Sequence, residues 1–208
     1  MEKEKYLKKY NYVKRRKLFI LLIVLFSVSI LLGFFYFLLG SKSNKSLTMD
    51  YYSNFFTAIN SSKLNYLDCI INSISSNVLE TVLLFLLSIS IIGVFFVFLL
   101  FVFHSFTLGY VVSSFISIYK LNGLVPLIIY IVPLLIRLFL LFVLTFYSFN
   151  FASRFYNYLI RRKDVDVKSY FRRYLKIFLF ILMFFVINSL IESIIVPALL
   201  KAFTKSLI

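Results

Sequence analysis

Three charged residues stand in or beside apolar stretches long enough to cross a lipid bilayer, and they are the first candidates for chemistry. They are Glu80, Arg137 and Glu192. A charge near mid-bilayer costs about 3 kcal/mol or more, so such a residue usually faces a bundle interior and has a partner. We predict that Arg137 pairs with Glu192, with Glu80 as the second choice. Two interpretations remain open: a structural pair that fixes helix register, or a proton- or ion-coupled transport site.

Motifs for other chemistry are missing from the sequence. His104 is the only histidine, and a lone histidine is more often structural than a metal ligand. The chain has no H-E-x-x-H zinc motif, no G-x-S-x-G elbow and no Walker loop. No two carboxylates share one apolar span at helical spacing, as an intramembrane hydrolase would require. We therefore expect no catalytic residue, metal or cofactor, and we predict that the protein is not an enzyme.

The composition places these residues in a membrane. Of the 208 residues, 62% are hydrophobic and 15% are charged, whereas a soluble domain is about half apolar. Only helices and closed barrels satisfy the backbone inside lipid. Because the apolar runs are long and continuous, we predict an all-α polytopic protein rather than a barrel.

The net charge of +15 is explained by the membrane, because basic residues flank membrane helices on the cytoplasmic side and attract anionic lipid. The lipid bilayer is thus the expected partner, and nucleic acid is not. Cys69 is the only cysteine and forms no intramolecular disulfide. The many Phe, Ile, Lys, Asn and Tyr residues suit an AT-rich genome, so we expect a bacterial cytoplasmic membrane.

Basic clusters set the predicted topology. Residues 1–17 and 161–176 hold eight and seven basic residues, so both segments are predicted to be cytoplasmic. With residues 40–77 outside, the chain must cross the membrane an odd number of times between 78 and 160. A single crossing would use only about 20 of those residues, so we predict three crossings. We predict turns around His104 and around Lys120–Gly123, an extracytoplasmic C-terminus and a cytoplasmic loop at 160–176. The five predicted membrane helices are 18–39, 78–101, 103–119, 125–150 and 177–200.

Two patterns point to packing surfaces. Small residues recur every fourth position on the third predicted helix, a spacing that lets helix backbones approach closely in lipid; they are Ser105, Gly109, Ser113 and Ser117. In the external segment 40–77, apolar residues recur at helical spacing and predict two short amphipathic helices on the outer membrane face or the bundle mouth. Whether these helices meet a partner stays open. Their two stripes are Tyr52, Phe55, Phe56 and Ile59, then Leu64, Leu67, Ile70, Ile71 and Ile74.

The order of these features resembles the stage II sporulation protein M family of bacteria. Phe103–Tyr110, continuing through Ser113 and Ser114 to Asn122-Gly123, resembles the family's aromatic-serine-leucine-glycine-aromatic stretch and its glycine turn. Val132-Pro133 is similar to a leucine-proline pair that starts a helix in the family. Leu190–Ser193 followed by Pro197 is similar to the family's acidic residue and nearby proline. Pro133 and Pro197 are therefore predicted to mark helix turns.

The resemblance implies a function. It implies a membrane scaffold in endospore formation, working at engulfment with extracytoplasmic cell-wall hydrolases of the stage II sporulation protein D and P type. The alternative from the residues is a transporter or permease subunit that uses the intramembrane Arg–Glu pair.

Overall fold

The computed structural model describes residues 2–61, 65–90, 92–160 and 166–203, with the side chains from Arg15 onward except that of Tyr66, and this part of the chain is helical almost throughout. A 3-10 turn, Lys120–Gly123, and a π-helical turn, Ile191–Ile195, each link two helices. The α-helices are α1 (Glu2–Leu39), α2 (Lys42–Asn60), α3 (Tyr66–Ile89), α4 (Gly93–Tyr119), α5 (Leu124–Leu159), α6 (Val167–Leu190) and α7 (Val196–Phe203).

Four stretches of the described chain are long and apolar enough to cross a membrane, which makes the fold an all-helical membrane fold. The third stretch contains both α4 and α5, joined by the 3-10 turn. The stretches are Arg15–Leu39, Leu67–Ile89, Gly93–Leu159 and Val167–Phe203.

Polar side chains set the starts of three helices. Ser41, Asn65 and Asp166 precede α2, α3 and α6, and each accepts a hydrogen bond from a backbone N–H two or three residues later. Such caps satisfy N–H groups that have no partner within the helix. They fix where the chain enters each helix.

Ring contacts give the relative direction of α1 and α4. Phe26 stacks on Phe101 with 6.2 Å between ring centroids, and further along Phe37 meets Tyr110 at 5.3 Å. Since both residue numbers rise together, the two helices run in the same direction.

The other long helices alternate in direction. Contacts at both ends of each pair show that α5 runs opposite to α4 and α6, and that α3 runs opposite to α6. The bundle is therefore three helices (α1, α4, α6) running one way and two (α3, α5) running the other. The contacts are Phe101–Phe142 and Phe115–Tyr130, Ser148–Tyr174 and Asn188–Pro133, and Ser88–Tyr174 and Asn77–Ser189.

The two ends of this bundle differ in charge. The starts of α1 and α6 and the end of α5 share one end, which we call the basic end. The opposite end carries α2, α7 and the turn Lys120–Gly123, and we call it the α2 end. The described basic side chains of the basic end are Arg15, Arg16, Lys17, Arg154, Lys168, Arg172, Arg173 and Lys176. Residues 161–163, also predicted to be basic and cytoplasmic, lie outside the described part, as do Lys63 and Lys205.

The structure corrects the predicted boundary between the second and third membrane helices. Helix α3 ends at Ile89 and helix α4 begins at Gly93, so His104 lies inside α4 and not at a turn. Ser90 Oγ accepts a hydrogen bond from the Gly93 N–H at 2.7 Å. A Cβ atom on residue 93 would overlap the carbonyl oxygen of Leu87, so the turn requires glycine there. The predicted 78–101 and 103–119 become Tyr66–Ile89 and Gly93–Tyr119.

The predicted external segment 40–77 is also corrected. Only its first stripe forms a separate helix, α2, whereas residues 66–77 are the first half of α3. Leu67 and Ile71 of the second stripe are exposed, and Leu64 lies outside the described residues. Two polar residues of this half, Ser73 and Asn77, bond to Ser189 on α6 and so join the helix to the bundle.

The bounds of the predicted fourth and fifth membrane helices are also corrected. α5 extends beyond 125–150 to Leu159, and α6 begins at Val167, inside the predicted loop 160–176. The basic residues from Lys168 onward therefore sit on the first turns of α6. The predicted span 177–200 is interrupted by the π-helical turn before α7 begins.

Candidate functional site: a charged cluster within the helix bundle

The charged side chains within the bundle meet on three neighbouring helices. Glu80 on α3 is bonded through Oε1 to Nε2 of His104 on α4, at 2.7 Å. The other oxygen, Oε2, accepts a hydrogen bond from the Arg137 guanidinium on α5. The three side chains are each 19–21% exposed. One carboxylate thus joins α3, α4 and α5.

This arrangement differs from the predicted pair. Arg137 is bonded to Glu80, the second choice, rather than to Glu192. Glu192 lies half-buried in the π-helical turn near the α2 end. His104, expected at a turn, is the third member of the cluster. The break before Gly93 causes both differences, because it brings Glu80 deep into the bundle and His104 beside it.

The chemistry open to the cluster is charge neutralisation. Glu80 compensates the Arg137 guanidinium, whose Nε is buried and has no hydrogen-bond partner among the described residues. The imidazole of His104 bonds to the other oxygen of the same carboxylate. Among the described residues, no three His, Cys, Asp or Glu side chains are grouped as metal ligands would be.

Polar side chains from three helices also meet near the basic end, at an uncharged site that we call the Tyr174 joint. The hydroxyl of Tyr174 on α6 contacts Ser88 Oγ on α3 at 2.5 Å and Ser148 Oγ on α5 at 2.9 Å. All three side chains are buried. Phe85 and Phe151 stack on the Tyr174 ring, each at 5.4 Å between centroids. The sequence reasoning missed this joint, although isolated serines in apolar helices were its signal.

Amide and hydroxyl groups connect α6 to α3 and to α5 on the side nearer the α2 end. Asn77 Nδ2 donates to Ser189 Oγ at 2.7 Å, and Asn188 Nδ2 donates to the carbonyl of Pro133 at 3.2 Å. Asn77, Asn188 and Ser189 are almost completely buried. The sequence analysis did not predict these contacts either. The pattern that could have indicated them is the recurrence of polar residues on one face of α3 and of α6.

The predicted small-residue stripe marks the contact between α1 and α4. A Cβ atom on Gly109 would overlap the carbonyl oxygen of Ile30, and one on Gly33 would overlap that of Phe106. The two helices therefore touch through their backbones, as small residues allow. Of the stripe, Ser105, Gly109 and Ser113 are buried, whereas Ser117 is exposed.

Of the two predicted turn prolines, only Pro197 lies beside a turn. Pro133 is inside α5, which begins nine residues earlier at Leu124. Its ring has no N–H, so it removes one bond of the helix. Pro197 is the second residue of α7 and directly follows the π-helical turn, and it lacks an N–H in the same way.

At the α2 end, α2 is fastened to the bundle by its predicted stripe. Tyr52, Phe56 and Ile59 are buried against the end of α4 and against α7, and Phe55 is half-buried. The Tyr52 hydroxyl bonds to Ser114 Oγ at 2.7 Å. Burial raises the pKa of Tyr52 well above its usual range, so this hydroxyl stays neutral. Burying Phe56 and Ile59 stabilises the contact by about 1.5–3 kcal/mol each. Of the two predicted sites for α2, the structure shows the bundle mouth.

Long apolar helices joined by buried polar contacts define the class: this is a multi-pass helical membrane protein. Residues 22–197 match the family model of stage II sporulation protein M, so the chain belongs to that family. The match includes α2 and all three members of the charged cluster. It confirms the resemblance. The family is not a known enzyme family. No curated protein and no solved structure matches the chain.

Proposed function

We propose that the protein is a non-enzymatic membrane scaffold that anchors peptidoglycan-remodelling partners during forespore engulfment. The observation that carries the proposal is the family match over residues 22–197. Stage II sporulation proteins D and P are the proposed partners. The scaffold would act from the bacterial cell membrane.

The proposed topology has five crossings, by α1, α3, α4, α5 and α6. Alternating helix directions and the charge difference between the two ends support it. By the positive-inside bias, the basic end is cytoplasmic and the α2 end extracytoplasmic. The N-terminus then lies inside and the C-terminus outside.

The α2 helix is the proposed contact surface for the partners. Its buried stripe holds it against α4 and α7, while its other side presents Leu47 and Tyr51, which are 64% and 67% exposed. They are four residues apart and share one helix face. A folded helix outside the membrane offers a partner a surface that needs little ordering on binding.

The first test is gene deletion in the native host, followed by membrane-dye microscopy during starvation. We expect septa to form and the mother-cell membrane to stall before it encloses the forespore. Normal engulfment would overturn the proposal. Complementation with Leu47→Ala/Tyr51→Ala then tests α2, with Leu121→Ala as control, an exposed residue at the same end. The α2 variant should lose co-purification of the D- and P-type proteins, and the control should keep it.

A transporter or permease subunit is the second candidate, and the charged cluster is the observation that favours it. Intramembrane ionisable groups mark proton and ion pathways in many transporters. Purified protein in liposomes should then move protons or ions, and Glu80→Gln should stop the flux. A scaffold predicts no flux. It also predicts that Glu80→Leu/Arg137→Met, a pair of apolar replacements, still supports engulfment.

A further inference from the structure

A small groove opens at the basic end, between the first turns of α1 and α6 and over the last turns of α5. Its volume is about 90 Å³. One face of α5 forms the floor, with Tyr147, Asn150 and Arg154 at helical spacing. Arg15 of α1 lies on one side, and Arg173 of α6 lies on the other.

Among the described residues, the groove is lined by three guanidinium groups and by no acidic side chain. Arg15 and Arg173 both lie near enough to repel Arg154 electrostatically. Three like charges around one groove are unfavourable unless an anion lies between them. Guanidinium groups bind phosphate with paired hydrogen bonds, so phosphate is the anion that this geometry fits best.

Arg154 is held in place by Tyr170. Its guanidinium carbon lies 3.7 Å from the centroid of the Tyr170 ring, a cation–π contact, and its side chain is hydrogen-bonded to the same residue. The side chain is only partly exposed. A guanidinium carries five N–H groups, so contacts with one residue leave others for a ligand.

The position of the groove selects the source of the phosphate. Arg15 lies three residues before Leu18, where the apolar run of α1 starts, and Arg173 precedes the apolar run of α6. Below the arginines the lining becomes apolar, with Phe146, Phe151 and Ile177. This sequence of charged and then apolar lining matches the headgroup and acyl regions of a lipid. We propose that the groove binds the headgroup phosphate of an anionic phospholipid in the cytoplasmic leaflet.

The test is native mass spectrometry of the full chain with phosphatidylglycerol or cardiolipin. Wild type should retain the lipid, and Arg15→Gln/Arg154→Gln/Arg173→Gln should bind it at least about tenfold more weakly, since the guanidinium–phosphate hydrogen bonds of the groove are lost. Arg16→Gln/Lys17→Gln/Arg172→Gln is the matched control. It removes the same charge from exposed residues beside the groove and should keep the lipid. The single variant Arg15→Gln, at an exposed position, covers the case in which the triple variant does not fold.

Three outcomes would overturn the proposal. Equal loss in the groove and control variants would mean general charge attraction. Unchanged binding in the groove variants would mean that the lipid binds elsewhere. Release of the lipid by millimolar inorganic phosphate would assign the groove to free phosphate instead. The proposal does not depend on the scaffold role, because lipid binding is measured without any sporulation protein.

Discussion

Two joints hold three helices each by means of polar side chains, and they do so with different chemistry. At one, Tyr174 bonds to Ser88 and Ser148, and all of these groups are neutral and buried. At the other, Glu80 bonds to His104 and Arg137, and each side chain keeps about one-fifth of its surface exposed.

The two joints differ in how much is lost when one member is removed. A hydroxyl can bond a carbonyl of its own helix, so the Tyr174 joint loses little if one member is removed. Glu80 serves both His104 and Arg137, so removing Glu80 leaves the Arg137 guanidinium without its carboxylate. Breaking the charged cluster should therefore cost the fold more than breaking the Tyr174 joint.

The largest effect is expected from Glu80→Ala, which leaves Arg137 without its carboxylate. We expect the free energy of unfolding to fall by about 3–5 kcal/mol, the usual cost of breaking a buried pair. Thermal unfolding of the purified protein in detergent measures it. Glu192→Ala is the control, since Glu192 is not the carboxylate bonded to Arg137.

The double variant Glu80→Leu/Arg137→Met sharpens this result. It removes both charges and should recover most of the lost stability. If the double variant unfolds as easily as Glu80→Ala, the pairing of charges is not what the cluster contributes.

A smaller effect is expected from Gly109→Leu, which tests whether α4 is positioned by its contact with α1. The new side chain would meet the backbone at Ile30, and overpacking of this kind costs about 1–3 kcal/mol. Folded yield on size exclusion is the measurement. Ser117→Leu, at the exposed member of the same stripe, should leave the yield unchanged. Equal yields for both variants would mean that His104 reaches Glu80 without help from the glycine contact.

The smallest effect is expected from Tyr174→Phe, which keeps the ring stack and removes the hydroxyl. Ser88 and Ser148 retain their bonds to the carbonyls of Phe85 and Leu144. The loss should be about 1 kcal/mol, read from the same thermal unfolding. A loss as large as that of Glu80→Ala would erase the distinction between the two joints.

Apolar runs and basic clusters were enough to predict an all-helical membrane fold, and helical spacing predicted the apolar stripe of α2. The choice between the outer membrane face and the bundle mouth required the structure. Hydropathy could not locate the break at Gly93, because residues 78–101 are apolar on both sides of it. To locate that break, Ser90 would have to be recognised as a capping residue and Gly93 as a residue in close contact with the backbone. One misplaced turn put His104 at a surface.

The site was harder to predict than the fold. Glu80, Arg137 and Glu192 were recognisable as costly charges, but pairing depends on helix order and depth, which composition does not give. The Tyr174 joint was less visible still, since serine and tyrosine are common in apolar helices. Only the packed bundle distinguishes hydroxyls that bond across helices from those that bond to their own backbone.

The π-helical turn Ile191–Ile195 has a consequence for chain length. A π turn bonds residue i to i−5 and so holds one residue more than the α turn it replaces. Deleting Ile194 should convert it to an α turn while Val196 and Leu200 keep facing α2. A deletion within α6 would instead rotate everything beyond it by about 100°. We therefore expect the chain to tolerate the loss of one residue within this turn, because α7 then keeps its packing against α2.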